Sequence, residues 1–345
     1  MQLITGIRGM NDILPADIPQ WRFVEETARR IFGLYGFSEL RSPVLEKTEL
    51  FLRGMGEDTD VVEKQMYTFA DKSGASVSLR PEATASVLRA VIEHGLLGQE
   101  PIQKLFSIGP MFRYERPQKG RYRQFHQINC ERLGESGPLI DAETLCLAHD
   151  IASALGLSGI ELEVNSLGCP SCRPEYQQAL RAFMQDRREI LCENCQRRME
   201  TNPLRVLDCK ADSCRSAAAD APVIEDYLCP DCRTHHQGVL AALAALEVPF
   251  AKNARLVRGL DYYTRTTFEI SAAGLGSQNA IAGGGRYDRL IADLGGPATP
   301  GIGFAFGLQE ALDQLGAFAG PFIFTLVFYS TGLNGVDQYQ FGYRL

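Results

Sequence analysis

The chain reads as an α+β protein: an antiparallel sheet flanked by helices, with a small cysteine-rich insertion. Three observations carry this reading. Strand-like segments come in pairs, KLFSIG (from Lys104) with INCERLG (from Ile128) and Thr267 to Ser271 with Gln278 to Ala282, each pair joined by a Gly-containing connection as in hairpins. Helical periodicity is confined to a few segments between them. Eight of the ten cysteines fall between about Ser166 and His236, where the texture changes. At 345 residues more than one module is expected, and a hydrophobic fraction of 45% supports well-buried cores. The predicted division is 1–165 and 246–320 as two parts of one domain, 166–245 as the insertion, and 321–345 as a short tail.

Along the chain, Ile18 to Phe37 carries Trp21, Val24, Ala28, Ile31, Phe32 and Tyr35 at helical spacing, so one face is expected in the core. Phe37 to Val44 reads as a strand broken by Pro43. A second helix is predicted after Glu82, with Val87, Leu88, Val91, Ile92 and Leu96 inward and Thr84 near its start. Asp141 suits the cap of a third helix running to about Leu155. Later, Gly283, Gly284 and Gly285 follow a strand and allow a ligand to approach the backbone without a Cβ clash.

Two strings carry chemistry. LVRGLDYYTRTTFE (Leu256 to Glu269) reads as a turn feeding a strand; Arg258 offers a planar charged fork for a carboxylate or phosphate, and Tyr262 and Tyr263 offer flat faces with hydroxyl tips. FRYERPQKGRYRQFHQ (Phe112 to Gln127) forms the loop and arms of the first hairpin, with Arg113 in one arm and Arg116, Lys119, Arg121 and Arg123 in the loop. Alternation in the second arm sets Phe125, Gln127, Asn129 and Glu131 on one face. A solvated charged hairpin is the plainer alternative, but a carboxylate, an amide and an arginine sharing a sheet face are costly to bury unless something polar fills the gap.

The cysteines form four pairs: Cys169 with Cys172, Cys192 with Cys195, Cys209 with Cys214, and Cys229 with Cys232. In a reducing compartment such pairs point to metal, and eight thiolates suit two closed structural Zn2+ sites. The simplest combination joins the first pair with the second and the third with the fourth; reduced, unligated thiols are the alternative. Arg187, Arg188, Arg197 and Arg198 could meet phosphates or form a solvated face. The N-terminus lacks a basic segment followed by an apolar one, and no run of about 18 apolar residues appears, so a cytoplasmic protein without membrane spans is expected. A net charge of −7 argues against coating nucleic acid by bulk charge, leaving local basic clusters as the route to RNA.

These strings together resemble the histidyl-tRNA synthetases, a class II family, over Thr5 to about Gly307. FRYERPQKGRYRQFHQ looks like the class II motif that binds ATP, and RGLDYYTRTTFE and AGGGRYD are similar to the two histidine-specific signatures. LRPEATASVLRA (Leu79 to Ala90) is similar to the segment that meets the amino acid's amino group. The resemblance implies a class II-like sheet, ATP and Mg2+, histidine and tRNA(His) as partners, and a homodimer formed through the first helix and strand. It implies that Arg113 and Arg258 are catalytic and that Arg113, Glu115, Arg121, Gln127 and Arg258 bind ATP. Glu82, Ala83, Thr84, Gln127, Glu131, Tyr262 and Tyr263 would bind histidine, and the insertion would lie against the tRNA acceptor stem.

Two departures stand out. The family's third motif ends in Gly, an apolar residue, then Glu-Arg, with the arginine on the ATP γ-phosphate; here Glu310 occupies the arginine's place. The family also carries a C-terminal anticodon-binding domain, and after Pro321 only a short apolar run and a polar end follow. The alternative is a catalytically silent regulatory subunit of ATP phosphoribosyltransferase that senses histidine, though such a sensor has no use for α-phosphate ligands.

Overall fold

The computed structural model describes residues 3–56, 59, 61–117, 121–273 and 279–318. The expectations for Lys119, Gln278 and the tail after Pro321 lie outside the described residues. Eight strands form one sheet in the order β1 (Ser38–Glu39), β5 (Gln103–Phe112), β6 (Gln124–Leu133), β11 (Gly301–Gly307), β10 (Ala280–Arg286), β9 (Thr264–Ser271), β7 (Glu161–Ser166) and β8 (Ala251–Lys252). All pairings are antiparallel except the two short edge pairs, β1 with β5 and β7 with β8. A small second sheet holds β2 (Leu45–Lys47), β4 (Ser76–Leu79) and β3 (Thr68–Ala70).

The two faces of the large sheet differ because residues alternate. Ile128 and Cys130 of β6, Phe304 and Phe306 of β11, and Phe268 and Ile270 of β9 enter one apolar core. Helices α1 (Ile18–Leu34), α5 (Pro138–Ala154), α9 (Pro230–Ala245) and α11 (Leu308–Phe318) border this core. Phe32 of α1 stacks on Phe106 of β5 with ring centroids 4.4 Å apart. α1 ends where Gly36 takes φ 75°, letting its N–H reach Gly33 O and the Phe37 N–H reach Phe32 O. α3 (Thr84–Glu93) and α10 (Leu290–Asp293) border the other face with Val87, Leu88 and Leu290, beside α2 (Thr48–Met55) and the short α4 (Leu96–Gln99).

Three local expectations are corrected. Only Ser38 and Glu39 of the predicted Phe37 to Val44 strand pair with β5, in keeping with Pro43, which has no N–H to give a ladder. Leu96 opens the separate α4, because Gly95 adopts φ 62° and ends α3. Asp141 is not a cap: α5 begins at Pro138, and Asp141 lies in its first turn, fully buried. Its carboxylate instead accepts from Arg286 Nε at 3.0 Å and meets His235 Nε2 at 2.7 Å, joining α5, β10 and α9. Burial alone would raise its pKa, but His235 and Arg286 hold it below the usual carboxylate range.

Between β7 and β8, before α9, lie α6 (Arg173–Gln185), α7 (Glu193–Thr201) and α8 (Asp212–Ala217). Their apolar sides, including Tyr176, Leu180, Met184 and Met199, pack with the cysteines. Among the described residues, no helix is long and apolar enough to cross a membrane.

Candidate active site

The sheet face opposite the apolar core is lined by small and polar residues. On β11, Gly303, Ala305 and Gly307 alternate with Phe304 and Phe306, so this strand presents almost bare backbone. On β10, Gly283 lies under Arg258, whose guanidinium occupies the space a Cβ would need, and a Cβ on Gly285 would stand 3.0 Å from the Tyr263 ring. These glycines make room for the arginine and the tyrosine that wall the site.

Around that floor the chain brings Glu82, Thr84, Arg113, Gln127, Arg258, Tyr262 and Tyr263 to one cavity. Glu82 holds the start of α3, its carboxylate accepting the N–H groups of Thr84 at 3.1 Å and Ala85 at 2.8 Å. Arg113, just past β5, donates through Nε to Pro81 O at 2.9 Å and lies over the Phe125 ring, which aims the rest of its fork inward. Gln127 and Asn129 come from alternate positions on β6. Arg258 Nη1 pairs with Glu269 at 2.5 Å across the turn before β9.

Glu131 forms the floor behind Gly303, where a Cβ would stand 2.5 Å from its Oε2. It accepts the hydroxyl of Tyr287, and Tyr287 meets the Tyr262 ring edge-on at 5.8 Å. Tyr262 and Tyr263 sit 4.6 Å apart. Burial pushes Glu131 up to about 8, with the Tyr287 bond pulling the other way.

That shift has a sign. Glu131 titrates higher in the folded chain than its ordinary 4.5, so its contribution to stability is full below that value and is lost as pH rises through about 8. Glu82 and Glu310 are shifted in the same direction. Melting of the ligand-free protein is therefore expected to fall from about pH 5 to about pH 8.5, and Glu131→Gln is expected to flatten that fall. Parallel pH profiles for the two proteins would contradict the assignment.

Five buried polar atoms around this cavity lack a hydrogen-bond partner among the described residues: Gln127 Oε1, Asn129 Nδ2, Glu131 Oε1, Arg258 Nε and Glu310 Oε2. Such atoms are costly to bury and fit a polar ligand that completes them. Four expected residues stand apart from the cavity wall, Glu131 behind its floor and three others farther along the chain's elements. Ala83 is buried at the start of α3, and Glu115 pairs with Arg121 at 3.4 Å on the hairpin. Sequence reasoning placed Asn129 on the right sheet face but missed Tyr287 and Glu269 as wall residues. Tyr287 stands two residues after the glycine triplet, in AGGGRYD, but only its cross-sheet partner Glu131 gives it a role.

The cysteines also gather, in a different combination from the one expected. Cys169, Cys172, Cys229 and Cys232 form one quartet and Cys192, Cys195, Cys209 and Cys214 the other. The first pair, just after β7, meets the fourth, at the start of α9, and the middle pairs come from the segment between them. Of the neighbouring arginines, Arg188 pairs with Glu200, Arg197 with Glu63, and Arg187 lies over the Phe183 ring.

The family profile for histidyl-tRNA synthetase matches residues 9–311. The histidine–tRNA ligase of Geobacter metallireducens is 56% identical over 314 residues, covering 91% of this chain and 76% of that protein. The histidine–tRNA ligase of Syntrophotalea carbinolica is 58% identical over 307 residues, 89% of this chain and 73% of that protein. The crystal structure of apo S. aureus histidyl-tRNA synthetase superposes with a TM-score of 0.74 at 37% identity, covering 91% of this chain and 74% of that one. A structure titled as an ATP phosphoribosyltransferase regulatory subunit/histidyl-tRNA synthetase from Bacillus halodurans C gives a TM-score of 0.68 at 18% identity, over 91% of this chain and 83% of that one, and so shares the fold alone. With a family match across most of its length and relatives above half identity, the chain belongs to the histidyl-tRNA synthetase family.

Proposed function

We propose that the chain is a histidine–tRNA ligase, activating histidine with ATP to histidyl-adenylate and transferring it to tRNA(His). The observation that supports this most directly is the convergence of Arg113, Arg258, Glu82, Gln127 and two tyrosines on one cavity with unsatisfied polar atoms. In the first step the histidine carboxylate attacks the α-phosphorus and pyrophosphate leaves, so negative charge gathers on the phosphoryl oxygens. Arg113 and Arg258 neutralise that charge from two sides, and no covalent enzyme intermediate is needed. ATP enters as its Mg2+ complex.

Glu82, Thr84 and Gln127 take the ammonium end of histidine. Glu131, braced by Tyr287, and Tyr263 read the imidazole, with Tyr262 beside them. A pocket whose polar groups pair with both ring nitrogens leaves them unpaired when an apolar amino acid enters, which gives selectivity without editing. Glu115 and Arg121 belong to the ATP side of the hairpin. The regulatory-subunit alternative gains nothing from two arginines in one cavity with the histidine groups.

In this reading, residues 1–165 and 246–320 are two parts of one catalytic domain, and 166–245 is an insertion whose cysteine quartets suit structural Zn2+. The working enzyme is a cytoplasmic homodimer paired through α1 and β1, with the insertion toward the tRNA acceptor stem. Histidine-dependent exchange of pyrophosphate into ATP tests the core of the reading. A folded protein with no such exchange would refute it.

A further inference from the structure

The two cysteine quartets are built alike, but one of them is tied to the wall of the substrate cavity. Within each quartet the Sγ atoms all lie within 4.8 Å of one another. Cys169 stands 3.7 Å from Cys172 and 3.8 Å from Cys229, and Cys192 stands 3.9 Å from Cys209. Four thiolates around Zn2+ at about 2.3 Å define a tetrahedron with edges of about 3.8 Å. A disulfide requires about 2.05 Å, so these spacings are those of ligands to one ion and not of bonded sulfurs. Each quartet also receives a peptide N–H on sulfur: Cys169 N to Cys172 Sγ and Cys192 N to Cys214 Sγ, both 3.2 Å. Such donors offset the negative charge that four thiolates bring to one point.

The first quartet closes the neck of the insertion, joining Cys169 and Cys172 at its entry to Cys229 and Cys232 at the start of α9. Arg173 follows directly and opens α6, its N–H bonded to Cys169 O at 3.0 Å. Its guanidinium leaves the cysteine loop and donates to Leu167 O at 3.1 Å and Tyr263 O at 2.6 Å. Gly168 adds a second strap: its carbonyl accepts from Thr264 Oγ1 at 3.0 Å and Arg265 N at 2.8 Å. Gly168 has φ 63°, and a Cβ there would stand 2.7 Å from Cys172 Sγ, so this turn is packed directly against the quartet. The backbone of Tyr263 to Arg265 is thus held by the loop that the thiolates shape.

We propose that both quartets hold Zn2+, and that the ion at Cys169, Cys172, Cys229 and Cys232 fixes Tyr263 at the histidine pocket through Arg173, which acts as a positioning residue. The link to histidine rests on the activity proposed above; the metal sites and the link to the Tyr263 segment do not.

Metal analysis of the purified full chain is expected to find two zinc ions per chain, and fewer than two overturns the two-site assignment. Replacing Cys229 and Cys232 together by Ser should leave one ion and raise KM for histidine about tenfold, and an unmoved KM overturns the link. Arg173→Ala serves if that double variant fails to fold. It should keep both ions and raise KM for histidine by a similar factor, with kcat within about twofold and KM for ATP unmoved. A loss shared by kcat and both KM values would mark Arg173 as merely structural and overturn the proposal. Amide hydrogen exchange of residues 260–266 gives a readout independent of activity. It should quicken in Arg173→Ala, and unchanged exchange there overturns the link even if the wild-type chain proves unable to activate histidine.

Discussion

Replacing Arg258 with Ala is expected to lower histidine-dependent ATP–pyrophosphate exchange by about a hundredfold or more, since one preorganised donor to a developing oxyanion contributes roughly 3 kcal/mol to the barrier. The fold should survive. Arg258 is part-exposed, and its partner Glu269 is 28% exposed at the side chain, so the orphaned carboxylate can hydrate. Arg258→Lys separates charge from geometry: an ammonium keeps the positive charge but loses the fork, so it should recover only part of the loss. Steady-state exchange beside a melting curve checks the result. Wild-type exchange from the alanine variant would remove Arg258 from the mechanism.

Glu310→Arg is expected to lower KM for ATP by about thirtyfold, corresponding to roughly 2 kcal/mol for a charge-assisted contact. In the wild-type chain the Glu310 carboxyl lies at the cavity beside Gly307, where burial, with Asp313 adding to it, pushes it up to about 7. Its ionised form would face the triphosphate and repel it. Protonation at lower pH relieves that repulsion, so KM for ATP should rise as pH passes through about 7, and this dependence should vanish in Glu310→Arg. Glu310→Gln should fall between the two. An unchanged KM for ATP across the three proteins would mean that the phosphates never approach this side chain.

The readability of the molecule from its sequence varied with the range of the interactions involved. The β5–β6 hairpin and the helical stripes of α1 and α3 are local patterns, written in alternation and in 3.6-residue spacing, and they were legible. The convergence of Arg113 and Arg258 on one cavity came from family likeness, because no local rule brings residues so far apart in sequence together. Asp141 shows the limit of local rules. Its position suits a cap by propensity, yet burial opposite Arg286 and His235 determines its partners. The cysteine combination failed for a related reason. Adjacent pairs look natural in one dimension, whereas the topology brings the end of β7 beside the start of α9 and leaves the middle pairs to each other. Tyr287 was overlooked because its role depends on the cross-sheet neighbour Glu131, which sequence spacing does not reveal.

The placement of β11 beside β6 has a consequence during synthesis on the ribosome. Gln127 pairs with Gly307 and Leu133 with Gly301, so the inner edge of the early hairpin waits for a strand made after the whole insertion. Until then β6 presents unpaired peptide groups that can template pairing with another chain. Nascent chains stalled before Gly301 should therefore be protease-sensitive and prone to aggregate, and pulse proteolysis of stalled complexes would show protection arriving only once Gly307 clears the exit tunnel. Chaperone dependence in this enzyme would then follow from the late arrival of a single seven-residue strand.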